Sequence, residues 1–419
     1  MSAAHGGRPA APPRLSVVIP TYNRCGLLAK LLGQLAAQRL PRDEFEVIVC
    51  DDGSSDATAE TVESFAGQLH LKYHFQEDLG FRAGVARNAG AKLAAAPILV
   101  FIDTGAMIGP GFLEHHLAAH DDEPCAVVGY AYGYNPEDPM PGLADMLESA
   151  TPEQVILALR DEPAFRDVRH DALAQCGFDL NRRAVPWSFF WTSNCSMRVA
   201  DFWGIGGFDE LYHGWGVEDL EFAFRIFKRG LPFRFLRDAW HIEWPHERDI
   251  EGNWQSFQHN MDLFLDRYRE PVVEIGRTLV HKLELWTWDD DYRHLCDLRD
   301  GIAEPGAGAE LRDLAGRLGP DEQVAVFGAG DDIPDELATA VLFEFDRAVL
   351  DRALADGTHR GHHAIGLRTP LDDGSVDRVL LTSRLAGLWT RWGADLLAEA
   401  RRIGRRAPLF DESVLGDRP

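Results

Sequence analysis

The sequence predicts an α/β protein built on a mixed, mostly parallel sheet, with a second, smaller α/β unit behind it. Three observations carry that prediction. Four strand-like runs, at 15–20 (LSVVIP), 45–50 (FEVIVC), 71–76 and 98–102 (ILVFI), all apolar but the third, alternate with helical stretches at 27–38, 58–66 and 84–95. Strands separated by helices pair in parallel and are covered on both faces. The first, second and fourth runs end at Thr21, Asp52 and Asp103, and sheets of this kind bind ligands beyond the carboxyl ends of their strands. Finally, the composition turns to Gly, Ala and Asp from about Glu304, and a fresh apolar run with a glycine loop (VAVFGAG, 324–330) begins a new unit.

Taken in order, Asn23 precedes a helix whose Leu28, Leu31, Leu32 and Leu35 share one face. The Asp51-Asp52-Gly53-Ser54 turn closes the second strand. Residues 130–185, with prolines, many charges and a helix near 152–160, read as a variable lid or an insertion on the acceptor side. A strand-like run returns at 189–199. A helix at 218–230 carries Leu220, Phe222, Phe224, Ile226 and Phe227 and stops at Gly230. A short strand at 233–236 leads to His241, and 254–288 is mostly helical. The expected organisation is a disordered lead-in at 1–14, a first domain at 15–250, a helical extension at 251–303, a linker at 304–320 and the small domain at 321–419.

The 419-residue chain is 45% hydrophobic and 26% charged, in the range of soluble globular proteins. Its 42 basic and 67 acidic residues give a formal charge of −25, which disfavours nucleic acid and anionic lipid. No stretch has the apolar length of a membrane span, so no membrane partner is expected. Six widely spaced cysteines without a CxxC pair point to reduced thiols in a cytoplasmic protein.

Several side chains have the chemistry to hold and activate an anionic, diphosphate-bearing ligand, and each also has a plainer reading. Asp52 sits where a carboxylate can accept from a base edge, or it merely belongs to an acidic turn before a helix. Arg82 and Arg87 open a helix and suit a diphosphate; they also suit an ordinary solvated face. Asp103 suits ribose or metal, or is a strand-end Asp. The Gly214-Trp215-Gly216-Val217-Glu218-Asp219 run is the most specific. A helix N-terminus favours both carboxylates as anions, which makes Asp219 a candidate general base and Glu218 a binder of hydroxyls. Charge decoration alone accounts for that pair but not for the Gly-Trp-Gly before it, where Trp215 offers a face to a sugar ring. His241 is a candidate metal ligand and His246 a weaker one, although a lone histidine is more often structural.

In order, LSVVIPTYNR, VIVCDDGSSD, GFRAGVARNAG, VFIDTG, the WTSNCSM-to-GGFDE run, GWGVEDLEFAFRIFKRG and HIEWP resemble the family-2 inverting glycosyltransferases, over roughly residues 15–247. The later part is similar to the galactosyltransferase-type segment also found in chondroitin polymerase. The resemblance implies a GT-A nucleotide-sugar-binding fold and an inverting transfer of a hexose, with UDP-glucose favoured, onto a small polyhydroxylated acceptor. It also implies that Pro20, Thr21 and Asp52 line the nucleoside pocket, with Arg87 and Arg82 on the diphosphate. Asp103 takes the first position of the Asp-x-Asp motif, Trp215 and Glu218 meet sugar, Asp219 is the base and His241 a metal ligand. Gly105 stands where the family has its second motif carboxylate. That leaves Asp103 and His241 to hold Mg2+ or Mn2+, or leaves the enzyme independent of metal. A polysaccharide or protein acceptor, or sugar-nucleotide binding without catalysis, are the alternatives. The last unit resembles a reduced Rossmann-like class I methyltransferase, with VFGAG as its glycine loop and Asp346 as its acidic strand end; it is expected to be degenerate.

Overall fold

The computed structural model describes residues 12–135, 138–246, 249–303 and 306–415. Residues 1–11 of the expected lead-in, Glu247 and Glu304 lie outside the described residues. The chain forms two compact units, 1–260 and 261–419.

The first unit holds β1 (Leu15–Thr21), β2 (Phe45–Asp51), β3 (Leu71–Phe75), β4 (Ile98–Ile102), β5 (Ala106–Ile108), β6 (Ala126–Tyr132), β7 (Asn194–Arg198) and β8 (Phe233–Glu243). Their order in one sheet is β3-β2-β1-β4-β7-β6-β8-β5. The first four strands are parallel, β7 runs against β4 and β6, and β5 runs against β8. This is the mixed, mostly parallel sheet that the alternating pattern predicts. One face of β1, β2 and β4 packs Leu15, Val17, Val47 and Val100 against Leu28, Leu31, Leu32 and Leu35 of the helix Cys25–Ala36. The opposite face, one residue out of step, carries Val18 and Cys50 under the helix Ala83–Leu93. That helix approaches so closely that a Cβ on Gly90 would collide with Val18 and Cys50.

The sheet is larger than the apolar runs indicate. The expected insertion at 130–185 begins later, because Tyr130–Tyr132 complete β6; helices Leu143–Ser149, Pro152–Leu159 and His170–Gln175 follow. The strand-like run at 189–199 narrows to β7. Most consequentially, β8 does not stop at residue 236 but runs on through His241. Its middle carries Arg237 and Asp238 at exposed positions, and the pairing with β6 slips between Gly129 and Ala131. An apolar pattern is therefore lost where the hydrogen-bonded strand continues.

The second unit has β9 (Val324–Phe327), β10 (Ala340–Glu344), β11 (Arg360–His363), β12 (Arg378–Leu381) and β13 (Leu409–Phe410), all parallel, in the order β11-β10-β9-β12-β13. Two expectations are corrected here. The supposed linker at 304–320 contains the helix Gly308–Ala315, whose Leu311 and Leu314 are buried in this unit's core. Asp346 is not the acidic strand end: its carboxylate accepts from the amides of Ala348 and Val349 and caps the next helix. The buried acid at the end of β10 is Glu344, held by Arg384 at 2.7 Å and by the amide of Gly330 at 2.9 Å. Among the described residues no helix is long and apolar enough to cross a membrane.

Candidate active site

The carboxyl ends of β1, β2 and β4 meet through the backbone. The Asp52 amide donates to the Thr21 carbonyl (2.9 Å), and the Thr104 hydroxyl to the Pro20 carbonyl (3.0 Å). The first expected groups, Pro20, Thr21 and Asp52, therefore sit together, and the buried Thr21 hydroxyl has no hydrogen-bond partner among the described residues. Asp51 is absorbed structurally, accepting from Tyr73 Oη (2.6 Å) and the Ser54 amide (2.7 Å). Asp52 is buried as well. Its oxygens accept from Gln76 Nε2 (2.5 Å), the Arg82 amide (2.8 Å) and Arg82 Nη2 (3.1 Å). A base edge reaching Asp52 must exchange with Gln76 or Arg82.

Neither arginine is a free cation. Arg82 is spent on Asp52 and on the Glu77 carbonyl. Arg87 is 3% exposed. It donates through Nη2 to Asp103 Oδ1 (2.8 Å) and through Nη1 to Glu218 Oε1 (3.3 Å), and lies over the Phe208 ring at 5.6 Å. Burial disfavours its charge, but the two carboxylates more than compensate and hold it above the ordinary arginine range. Arg87 thus joins the strand-end acid of one motif to the helix-start acid of another, rather than projecting toward a diphosphate.

Glu218 and Asp219 open the helix Glu218–Lys228. Glu218 is buried and its Oε2 lacks a partner among the described residues. Burial raises its carboxyl above the usual range, and Arg87 opposes that rise only in part. Asp219 is half-buried and accepts from the Leu220 amide at 2.8 Å. Burial raises its carboxyl well above the ordinary range, the neighbouring Glu218 charge raises it further, and Arg87 pulls it back. The loop before the pair is strained. Gly214, Gly216 and Val217 have φ of 75°, 90° and 77°, and the last is a β-branched residue in the left-handed region. A Cβ on Gly216 would collide with the Phe257 ring, and Trp215 packs against that ring at 5.6 Å. Asn260 ties the loop down, donating to the carbonyls of His213 (3.0 Å) and Gly216 (2.8 Å).

Asp103 stays about a third exposed, and Oδ2 has no protein partner among the described residues. Gly105 has φ 113° and its carbonyl accepts from the Trp244 amide at 3.0 Å; side chains other than hydrogen are strained there. His241 is fully buried on β8. Its Nδ1 lies 3.1 Å from Asn194 Nδ2, and its Nε2, 3.7 Å from Glu243 Oε2, has no hydrogen-bond partner among the described residues. His246 sits 3.0 Å from the Trp244 carbonyl. Among the described residues no three His, Cys, Asp or Glu side chains gather as a metal site.

The sequence assigns no role to Asn194, Asn88 and Gln76, although Asn88 and Asn194 fall within the GFRAGVARNAG and WTSNCSM motifs. Asn88 clamps the Gly-Gly-Phe-Asp-Glu loop, donating to the Phe208 carbonyl and Glu210 (both 2.9 Å) and accepting from the Phe208 amide (2.9 Å). Clefts of about 260 and 460 Å3 lie in the second unit, share Arg368 and Arg402, and contain none of the expected site residues.

Residues 16–172 match the model described as glycosyl transferase family 2, and residues 174–246 the one described as the N-terminal domain of galactosyltransferase. The validoxylamine A glucosyltransferase of Streptomyces hygroscopicus subsp. limoneus is 39% identical over 423 residues, covering 97% of this chain and 91% of that one. Its namesake from S. hygroscopicus subsp. jinggangensis is 38% identical, at 97% and 98% coverage. The chondroitin synthase of Escherichia coli is 29% identical over 234 residues, covering 54% of this chain and 34% of that protein.

Proposed function

The chain belongs to glycosyltransferase family 2 and is a nucleotide-sugar-dependent hexosyltransferase, and from that premise we propose that it moves glucose from UDP-glucose, with inversion, onto a hydroxyl of validoxylamine A to give validamycin A. The relatives at 38–39% identity carry that acceptor and sugar in their names. The site supports a small acceptor with several hydroxyls. Trp215 offers an aromatic face, and Glu218 Oε2 is a buried acceptor oxygen without a partner among the described residues.

The observation that carries the reading is the Glu218–Asp219 pair, tied through Arg87 to Asp103 at the carboxyl end of β4. Asp219 takes the proton of the attacking acceptor hydroxyl. A general base is most effective when its pKa lies near the working pH, and the rise caused by burial and Glu218 moves Asp219 that way. The hydroxyl oxygen bonds to the anomeric carbon from the face opposite UDP, the carbon–phosphate-oxygen bond breaks, and configuration inverts. Arg87 fixes Asp103 and Glu218 relative to the base. Pro20, Thr21 and Asp52 form the nucleoside side, with Asp52 exchanging Gln76 or Arg82 for the uracil edge. Arg82, released from Asp52, is the cation available to the diphosphate.

A divalent ion, Mg2+ or Mn2+, would neutralise diphosphate charge. Asp103 would hold it through its open Oδ2, and Gly105 supplies no carboxylate. Six free thiols support a reducing, cytoplasmic setting.

Incubating the enzyme with UDP-, GDP- and dTDP-sugars and validoxylamine A, with and without chelator, tests the reading. The expected result is one monoglucosylated β-configured product from UDP-glucose. Transfer from another donor only, or a ladder of products, would overturn the donor or the single-transfer assignment.

A further inference from the structure

We infer that His241 is a hydrogen-bond donor through Nε2–H and stands outside any metal-ligand set, with Asn194 as the positioning residue that fixes this tautomer. Ala239 O lies 2.9 Å from one terminal atom of the Asn194 amide. A carbonyl oxygen needs a donor, so that atom is the nitrogen, and it is the same atom that lies 3.1 Å from His241 Nδ1. The NH2 group has two hydrogens. One goes to Ala239 and the other to Nδ1, which is therefore the unprotonated nitrogen. A neutral imidazole then carries its proton on Nε2.

The rest of the buried chain agrees. The Asn194 oxygen lies 2.9 Å from His116 Nε2, which must donate to it. His116 Nδ1 then accepts from the Ser196 hydroxyl at 2.9 Å, and Ser196 Oγ accepts from His120 Nε2 at 2.8 Å. Both of these histidines are neutral, because burial lowers their pKa to about 3 and about 4. His120 Nδ1 is left as an acceptor, with the Cys125 thiol at 3.8 Å. In this one direction every donor from Asn194 to His120 meets an acceptor, and the His241 Nε2–H is the one left over among these groups. Turning the amide over would set its oxygen against Ala239 O. The close approach depends on Gly129, where a Cβ would collide with both the Ala239 oxygen and the Asn194 amide.

Metal-bound histidines have the opposite arrangement. The second ring nitrogen donates to a carboxylate or carbonyl, leaving a lone pair for the metal. Here Nδ1 accepts, so Nε2 presents a hydrogen where a ligand needs a lone pair. That buried N–H lies 3.7 Å from Glu243 Oε2, beyond hydrogen-bonding range, and has no other partner among the described residues. Its chemistry selects an anionic oxygen and rejects a cation. On the glycosyltransferase reading given above, that oxygen belongs to the nucleotide diphosphate.

Two measurements on the full chain decide the matter. The first is the imidazole 15N spectrum of histidine-labelled protein, with His241 assigned by its loss in His241→Gln. An Nε2-protonated ring, unchanged by Mg2+ with UDP bound, is expected; an Nδ1-protonated ring, or a metal shift at Nε2, overturns the proposal. The second is UDP affinity by calorimetry in EDTA and in Mn2+. Gln places an N–H near the position of Nε2, so His241→Gln should stay within about 3-fold of wild type, whereas His241→Ala should lose about 10-fold by the same factor in both buffers. A loss confined to the Mn2+ buffer would contradict the donor role. Wild-type protein that binds no UDP in either buffer would defeat the nucleotide-sugar reading instead, and the spectrum of the free protein would still decide the tautomer.

Discussion

Asp219 and Glu218 share a buried corner with one cation, and their charges set the pH response. The Asp219 carboxyl is raised by burial and by Glu218, so the proposed base is protonated at acidic pH and becomes competent as pH rises. The pH profile of kcat/KM should climb with a midpoint well above the ordinary carboxylate value near 4. Glu218→Gln removes the neighbouring negative charge, so its profile should move to lower pH even though acceptor binding weakens; a midpoint that stays in place would show that Glu218 does not act on Asp219. The same shift bears on stability. A carboxyl raised in the folded state contributes stability that is present below its unfolded pKa and lost as pH rises through the folded value. Asp219→Asn should therefore melt at or above the wild-type temperature in alkaline buffer, as a thermal scan against pH would show. Gly105 gives a third case. Restoring the family carboxylate with Gly105→Asp forces a side chain onto φ 113°, at about 1–3 kcal/mol. A lower melting temperature without tighter Mn2+ binding is expected. The identities of these residues were legible in the sequence, but their partners were not. Arg87 read as a phosphate-facing cation because nothing local reveals that Asp103, 16 residues on, and Glu218, 131 residues on, neutralise it in the fold.

At the scale of elements, β1, β2 and β4 were legible because they are buried on both faces, so apolar runs and strands coincide; β3 is partly exposed and has no apolar run. Beyond β4 the sheet was legible only in part, as the run that became β7 and the start of β8. β8 was cut short at its charged middle, and β5, three residues long, has too little pattern to notice. The Gly-Trp-Gly-Val loop was legible as unusual, and its geometry gives the reason: three residues in the left-handed region packed under the helix that carries Phe257. Gly216→Ala must move the Phe257 ring or the loop. A stability loss of roughly 1–3 kcal/mol and a fall in kcat larger than that in UDP affinity are expected; unchanged turnover would show that the loop does not set the helix start. In the second unit, Glu274 accepts from the amides of Ile365, Gly366, Leu367 and Arg368 at 2.5–3.0 Å. Glu274→Ala leaves these donors unpaired and should cost roughly 3 kcal/mol or more in denaturant unfolding.

At the scale of the whole chain, two sheets divide the work. The first gathers the strand-end and helix-start acids named by the motifs. The second keeps a parallel sheet and a glycine loop, but Glu344 at the end of β10 is spent on Arg384 and Gly330. That filling supports a degenerate unit, and calorimetry with S-adenosylmethionine should register no heat of binding. The division between the two units, after Asn260, was not legible from composition, which shifts only near 304. The helix Gly308–Ala315 was not legible either, because its Gly- and Ala-rich start resembles a linker, and Leu311 and Leu314 are explained only by the core they enter. Asp219 is proposed to remove the proton of the acceptor hydroxyl, and turnover of Asp219→Asn with saturating UDP-glucose and validoxylamine A shows whether it does. A fall in kcat of about 10²–10⁴, with UDP affinity within about 3-fold of wild type, is expected; turnover near the wild-type rate would take the base role away from Asp219.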